Sequence, residues 1–192
     1  MLAAAAAGCD DENEFNDDLV NVAIDVGDAR GEELAIMTDQ ELGPQPEDIS
    51  TAMAAMIVMT IDQGEIATAQ AALPNLIDAQ VVEFANRMID EHTSHLEQTQ
   101  NLVADLGITP MDTAVAAGLR NDAEAAIREL QVAGAATDVV YMRTQVEMHS
   151  AALTVADALV DNVDGDFHDF LKDTRDMISD HRQDAIDLLR DL

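Results

Sequence analysis

From residue 50 onward, apolar residues recur at steps of three and four along the chain. This spacing is typical of amphipathic α-helices that bury one face. Pro74 interrupts the first apolar run, and Gly107 follows the second run as a residue just past a helix C-terminus would. A shorter helical pattern occupies residues 111–134. The long helices are predicted at about 50–73, 78–106, 136–160 and 166–192.

Four long helices with mostly short connections, and one crossover helix between the second and third, are the pattern of a four-helix bundle. The composition agrees with this prediction. Aromatic residues make up 3% of the chain and Trp is absent, whereas the helix-forming residues Ala and Met supply much of the apolar content. We therefore predict an all-α fold, with the bundle domain covering residues 49–192.

The apolar faces predict which side chains enter the core. On the first helix this face includes Gly64 and Glu65. On the second helix the predicted face consists of Val82, Ala85, Met88, Ile89, His92, Leu96, Thr99, Val103 and Leu106. His95 and His168 lie off the apolar faces, so both are predicted to be solvated.

The N-terminal part has a different character. An Ala-rich run ends in Ala6-Ala7-Gly8-Cys9 and resembles a bacterial lipoprotein signal, in which the Cys becomes lipidated. No positive charge precedes the run, and Ala6 stands where such signals usually have Leu. We expect residues 1–9 to be a leader and Cys9 to anchor an exported protein in the periplasm or cell envelope. The alternative is an Ala-rich leader with an incidental Cys.

Residues 10–48 are acidic and contain several Gly and Pro residues. Few large apolar residues recur in this stretch, so it is predicted to be a flexible tether with a short helix near 28–38.

The charge balance restricts the partners. The chain has 39 acidic and 9 basic residues, with a formal net charge of -30. Such a surface repels nucleic-acid phosphates and anionic lipid headgroups, so we expect no nucleic acid partner and no membrane contact except through a lipid at Cys9. Repulsion between exposed carboxylates weakens at high ionic strength, which predicts stabilisation by salt and suits a salt-rich habitat.

Three of the five histidines lie on or beside the apolar faces of different helices: His92, His149 and His181. Counted from the connecting turns at ~1.5 Å per residue, they fall at similar heights, so we predict that they approach one another inside the bundle. Glu65 is a fourth candidate, although the same arithmetic puts it about six residues, or ~9 Å, off level.

Two hypotheses fit these histidines. Neutral imidazoles are ligands for Zn, Cu or Fe, so the three rings with Glu65 would suit a transition-metal ion. Alternatively, they form a hydrogen-bonded core network with Tyr141, Gln145, Asp90 or Glu65 that fixes the helix register. A di-iron centre of the ferritin type is not expected, because it uses Glu-x-x-His pairs and this chain has none.

Other chemistry has weaker support. Met53, Met56 and Met59 repeat thioethers at helical spacing, which suits Cu(I) but is also ordinary core packing. The single cysteine, Cys9, lies in the leader, and the chain lacks a Gly-x-Ser-x-Gly elbow and a Gly-rich phosphate loop. We therefore predict no catalytic residues.

A set of motifs points to a known family: Gly64-Glu65, Phe84-Ala85 with Met88, Asp90-x-His92-Thr93, Tyr141-x-x-x-Gln145-x-x-x-His149, and His181. Together they resemble exported bacterial proteins of the domain of unknown function 4142, often described as outer membrane proteins. The resemblance covers roughly residues 49–192. It implies a ferritin-like four-helix bundle and an exported location, and it implies no established reaction.

Two classes of function remain after these exclusions. One is a cell-envelope binding or structural protein that meets an envelope partner through a groove or its acidic surface. The other is a metal-binding or redox protein that uses the core histidines.

Overall fold

A computed structural model describes residues 49–192, and these form an all-α bundle. The α-helices are α1 (Thr51–Ala72), α2 (Ala79–Asp105), α3 (Ala114–Val132), α4 (Thr137–Asn162) and α5 (Asp166–Asp191). Short 3-10 helices lie at Leu73–Asn75 and Gly134–Ala136. The predicted long helices correspond to α1, α2, α4 and α5, and the predicted crossover helix is α3. The leader with Cys9, the tether and its predicted short helix lie outside the described residues.

Local side-chain hydrogen bonds explain where the helices begin. Ser50, Asp78 and Thr113 each precede a helix and accept hydrogen bonds from backbone N–H groups of its first turn, at 2.8–3.3 Å. Asp138, in the first turn of α4, accepts hydrogen bonds from the backbone N–H groups of Ile77 and Asp78. This contact ties the α1–α2 connection to the start of α4.

Helix α1 is the central element, because it packs against α2, α3 and α4, while α4 also packs along α5. Helix α3 approaches α1 closely at Gly64, where an added Cβ would lie 3.2 Å from the Cβ of Ala123. A helix enclosed on several sides buries more than one face. Accordingly, Ala54, Ala55 and Val58 are buried as well as Glu65 of the predicted face.

The core consists of two apolar clusters with a polar layer between them. One cluster includes Ile57, Leu159 and Phe167, and the other includes Phe84 and Met142. The residues that separate the clusters along the helices are buried and polar: Asp62, Glu65, Thr68, His92, His95, Thr99, Thr144, Gln145, His149, Thr174 and His181. The middle of the bundle is therefore polar although both ends are packed with apolar side chains.

The predicted face of α2 is confirmed at Ala85, Met88, His92, Thr99 and Val103 and wrong at its edge. Val81, Phe84 and His95 are buried, whereas Val82, Ile89 and Leu96 are half-buried. His95 is 7% exposed, so the prediction that it is solvated is wrong. His168 is also not fully solvated, because it is half-buried and its Nδ1 donates to the carbonyl oxygen of Val163. The buried face of α2 thus extends toward Val81, Phe84 and His95, and His95 lies in the polar layer.

Candidate metal centre

His92, His149 and His181 converge in the polar layer from α2, α4 and α5. Their ring centroids are 5.1–5.8 Å apart, and one ring nitrogen from each residue lies within 4.8 Å of the others. All three side chains are at most 4% exposed. The prediction that they approach one another inside the bundle is confirmed.

One nitrogen of each ring is held from behind by an oxygen atom. The pairs are His92 Nδ1 with Asp62 Oδ1 at 2.9 Å, His149 Nδ1 with the Gln145 carbonyl oxygen at 2.9 Å, and His181 Nε2 with Glu91 Oε2 at 2.5 Å. Carboxylate and carbonyl oxygens accept hydrogen bonds, so the ring nitrogen of each pair carries the proton. These contacts determine the tautomer of each neutral imidazole.

The other nitrogen of each ring has no hydrogen-bond partner among the described residues. These atoms are Nε2 of His92, Nε2 of His149 and Nδ1 of His181. Because the nitrogens that donate to the oxygens carry the protons, each unpartnered nitrogen presents a lone pair. Three buried imidazole lone pairs on converging rings, each ring oriented by an oxygen behind it, are the donor arrangement of a transition-metal site.

Asp62 joins the site to a fourth buried histidine, His95. His95 Nδ1 lies 3.0 and 2.9 Å from the two Asp62 oxygens. Its Nε2 lies 2.9 Å from the Thr174 hydroxyl, which itself donates to the Phe170 carbonyl oxygen. His95 therefore donates from both nitrogens, which is the pattern of the imidazolium ion. The ring also stacks on Phe170 at a centroid distance of 4.9 Å.

Glu65 lies beside the site and behind His149. Its Oε2 accepts a hydrogen bond from Gln145 Nε2 at 2.9 Å, and its Oε1 is 3.5 Å from His149 Nδ1. That nitrogen faces away from the unpartnered Nε2 of the same ring. Glu65 therefore lies behind its histidine, on the side away from the unpartnered nitrogen, as Asp62 and Glu91 do. The Glu65 side chain also lies closer to the histidines than predicted, since the sequence placed it about six residues from their level along the bundle axis.

Burial keeps the imidazoles of His149 and His181 uncharged. It lowers the pKa of His149, against the raising effect of Glu65. Burial, with added repulsion from the His92 and His149 imidazoles, lowers the pKa of His181 to about 2. Burial, with the nearby Glu65 carboxylate, also raises the pKa of Tyr141 well above its ordinary value. His149 and His181 are therefore neutral near pH 7, the form that binds metal ions.

The predicted core network with other side chains is only partly present. Gln145 holds His149 through its backbone carbonyl, and Asp90 is exposed on the surface of α2. The Tyr141 hydroxyl has no hydrogen-bond partner in the described part of the chain. Among the methionines, Met88 and Met142 are buried in the apolar cluster that contains Phe84.

Comparison with known proteins gives a family and no closer relative. The family described as "Domain of unknown function (DUF4142)" matches residues 37–188. No curated protein and no solved structure matches the chain significantly. Within residues 49–192, none of the helices combines the length and the apolar character needed to cross a membrane.

Proposed function

This chain belongs to the DUF4142 family, and we propose that its bundle is a metal-binding domain that holds one transition-metal ion between His92, His149 and His181. The observation that carries the proposal is the set of three unpartnered ring nitrogens in the core. A buried polar atom without a partner is costly, so a purely structural network would satisfy these nitrogens. A bound ion would accept all three lone pairs at once.

The distances fit an ion after a small closure of the rings. In a tetrahedral zinc site with Zn–N bonds of ~2.0–2.1 Å, the nitrogens are ~3.4 Å apart. Here one nitrogen from each ring lies within 4.8 Å of the others, so rings that use these nitrogens move by about an ångström or less to reach a common ion. The hydrogen bonds to Asp62, Glu91 and the Gln145 carbonyl keep the lone pairs directed inward during this movement.

The charges around the site favour a cation. The side chain of Glu65 is 1% exposed, whereas that of Glu91 is 46% exposed and is solvated. A carboxylate as buried as that of Glu65 is stable only with a compensating positive charge, which an ion held by the core histidines would supply. Imidazole donors suit zinc, copper and iron, so Zn²⁺, Cu²⁺ or Fe²⁺ is the expected class of ion.

Three protein ligands leave a coordination position on a four-coordinate ion. Structural zinc sites usually have four protein ligands, whereas catalytic sites keep one position for water or a substrate. A site with three protein ligands is therefore not the usual structural type, and we assign the domain to metal handling, that is, to binding and releasing an ion.

We also propose that the protein is exported and anchored by a lipid on Cys9. The support is the sequence Ala6-Ala7-Gly8-Cys9 at the end of an Ala-rich run. A tether between the anchor and the bundle would let the domain meet ions or an envelope partner at a distance from the membrane. Expression in a bacterial host with labelled palmitate tests this proposal, because Cys9→Ser should abolish labelling and release the protein from the membrane fraction.

Metal analysis of the full chain, purified without chelators, tests the metal proposal. We expect one ion per chain in the wild type and in His168→Ala, a matched control outside the site. The triple variant His92→Ala, His149→Ala, His181→Ala should contain none. Added metal at about 100 times Kd should stabilise the wild type by ~2.7 kcal/mol and leave the triple variant unchanged. A metal-free wild type whose melting temperature does not respond to Zn, Cu or Fe would refute the proposal.

A further inference from the structure

The core histidines are buried, so an ion has to pass through the protein to reach them. His181 also borders a surface cavity. This cavity of about 460 Å³ lies between α2 and α5, and its lining includes Arg87, Glu91, Met177, Asp180, His181 and Asp184. One wall of the cavity is therefore a side of a ligand ring.

The seam between α2 and α5 is held by polar contacts around this cavity. Arg87 pairs with Asp184 at 2.6 Å, and Glu91 binds His181 at 2.5 Å. Both partners of the Arg87–Asp184 pair are more than a third exposed, so that contact is weak and breaks at little cost. Helices α2 and α5 also pack against each other much less extensively than α1 and α2 or α4 and α5 do, so less packing is lost when this seam opens.

Glu91 differs from the other two carboxylates behind the histidines. The side chains of Asp62 and Glu65 are 1% exposed, whereas that of Glu91 is 46% exposed and lines the cavity. Glu91 thus contacts water on one side and a ligand ring on the other. The carboxylates of Asp180 and Asp184 also line the cavity, against the single guanidinium of Arg87. Their field attracts cations to the place where Glu91 stands.

On the basis of the proposed metal function, we infer that the ion enters and leaves through the α2–α5 cavity and that Glu91 is the gate residue for this exchange. An arriving divalent cation first binds the Glu91 carboxylate, which weakens the hydrogen bond from His181 Nε2. The released ring turns about its side-chain bonds and passes the ion inward to the three lone pairs. When Glu91 binds His181 again, the ring is fixed and the ion is enclosed.

Rapid mixing of metal-free full-length protein with Co²⁺ tests the inference, because cobalt bound by imidazoles gives a visible absorption band. Glu91→Gln removes the charge and keeps the size of the side chain. Glu97→Gln is the matched control, since it makes the same change at an exposed position of α2 away from the cavity. We expect Glu91→Gln to slow association at least about tenfold, and Glu97→Gln to change it by less than about twofold.

At saturating metal both variants should still bind one ion per chain, although Glu91→Gln should bind it about 10–100-fold more weakly because it loses the charged contact behind His181. The association rate of the wild type should fall as the ionic strength rises, and that of Glu91→Gln should fall less steeply. Loading of Glu91→Gln at the wild-type rate would overturn the route. Loss of the bound ion at equilibrium in a folded Glu91→Gln protein would make Glu91 part of the binding site and overturn its role as a gate. A wild type that binds no Co²⁺, Zn²⁺ or Cu²⁺ refutes the metal function itself.

Discussion

At the scale of single residues, the site depends on which ring nitrogen of each histidine carries the proton. Asp62, the Gln145 carbonyl and Glu91 each accept a hydrogen bond from one ring, so the remaining nitrogens carry the lone pairs. These oxygens orient the rings before any ion arrives. Removing one of them should therefore affect both the fold and the affinity for metal.

Asp62→Asn tests this dual role. The amide removes the charge that faces His95 and also weakens the contact that orients His92. Breaking a buried pair by changing one partner costs roughly 3–5 kcal/mol, and loss of an outer contact to a metal-binding histidine lowers affinity about 10–100-fold. Urea unfolding with a chelator present measures the first effect, and titration with Zn²⁺ measures the second.

Asp90→Asn is the matched control, because Asp90 is an exposed carboxylate on α2. Its stability should stay within about 0.5 kcal/mol of the wild type. If Asp62→Asn behaved like this control, the Asp62–His95 contact would contribute nothing to the fold.

The pH dependence of the metal-free protein provides a second prediction at this scale. Burial depresses the pKa of His181 in the folded state to about 2, below the unfolded value near ~6.5. The stability that comes from the neutral ring is therefore present above the unfolded pKa and is lost as the pH falls. Between pH 7 and pH 5 this loss amounts to about 2 kcal/mol. His181→Gln, which cannot take up the proton, should lose that much less.

Unfolding curves with a chelator at several pH values measure this difference. Glu91 acts in the opposite direction to burial, because a carboxylate at 2.5 Å favours the charged ring. Parallel loss of stability in the wild type and in His181→Gln would mean that Glu91 cancels the effect of burial.

Some residues of the site could be predicted from the sequence, and others could not. The helical rise is constant, so the convergence of the three histidines could be predicted from residue counts. Asp62 was missed because it lies beside the single apolar face assigned to α1, a helix that is buried on several sides. A spacing of three residues from Asp62 to Glu65 and from His92 to His95 was the available signal, since such residues share a helix face.

The offset predicted for Glu65 ignored the direction of side chains. On a helix, side chains lean toward the N-terminus. On α1 this carries Glu65 away from the α1–α2 turn, and on α2 it carries His92 toward that turn. The two side chains therefore approach each other along the bundle axis, although their Cα positions differ in height.

At the scale of helices, the ends were predictable because short-range signals specify them. Pro74, Asp78 and Gly107 mark ends of α1 and α2 through local chemistry that needs no tertiary contact. The buried face of α2 was less predictable. The sequence alone does not decide which of two adjacent residues faces the core, as with Val81 and Val82 or with His95 and Leu96. Packing decides that choice.

The contact of α1 with α3 at Gly64 gives a prediction at the helix scale. A side chain at Gly64 would meet the Cβ of Ala123, so Gly64→Val should push α3 away from α1 and cost about 1–3 kcal/mol. Because Glu65 is the next residue, the shift should also weaken metal binding. Thermal unfolding and a Zn²⁺ titration measure the two effects.

Two further variants separate the steric effect from helix propensity. Gln63→Val introduces the same β-branched side chain on the exposed face of α1 and should cost only a few tenths of a kcal/mol. Adding Ala123→Gly to Gly64→Val should recover part of the loss. Equal costs for the Gly64 and Gln63 variants would show that the close approach of α1 and α3 does not limit stability.

At the scale of the whole molecule, the bundle places its polar layer between two apolar clusters. The apolar ends hold the helices in position, so the middle can contain charged and unpartnered groups that would destabilise an isolated site. Sequence patterns predicted the apolar ends well because apolar residues recur at regular spacing along each helix. They predicted the middle less well, because a polar layer depends on pairing between helices that are far apart in sequence.

The surface of the whole molecule carries the last prediction. With a formal net charge of -30, exposed carboxylates repel one another in the folded state more than in the expanded unfolded chain. The Debye length falls from about 10 Å at 0.1 M salt to about 3 Å at 1 M, so added NaCl should raise the free energy of unfolding by something on the order of 1–2 kcal/mol. A chelator in every sample keeps metal binding out of the comparison.

The variant Glu97→Lys with Asp173→Lys replaces two exposed acidic residues and should show a smaller salt effect. Screening depends on ionic strength, whereas salts that act by exclusion from the surface keep stabilising in proportion to their concentration. Stability that levels off by about 1 M NaCl would therefore identify screening, and a melting temperature that does not rise with salt would contradict the prediction.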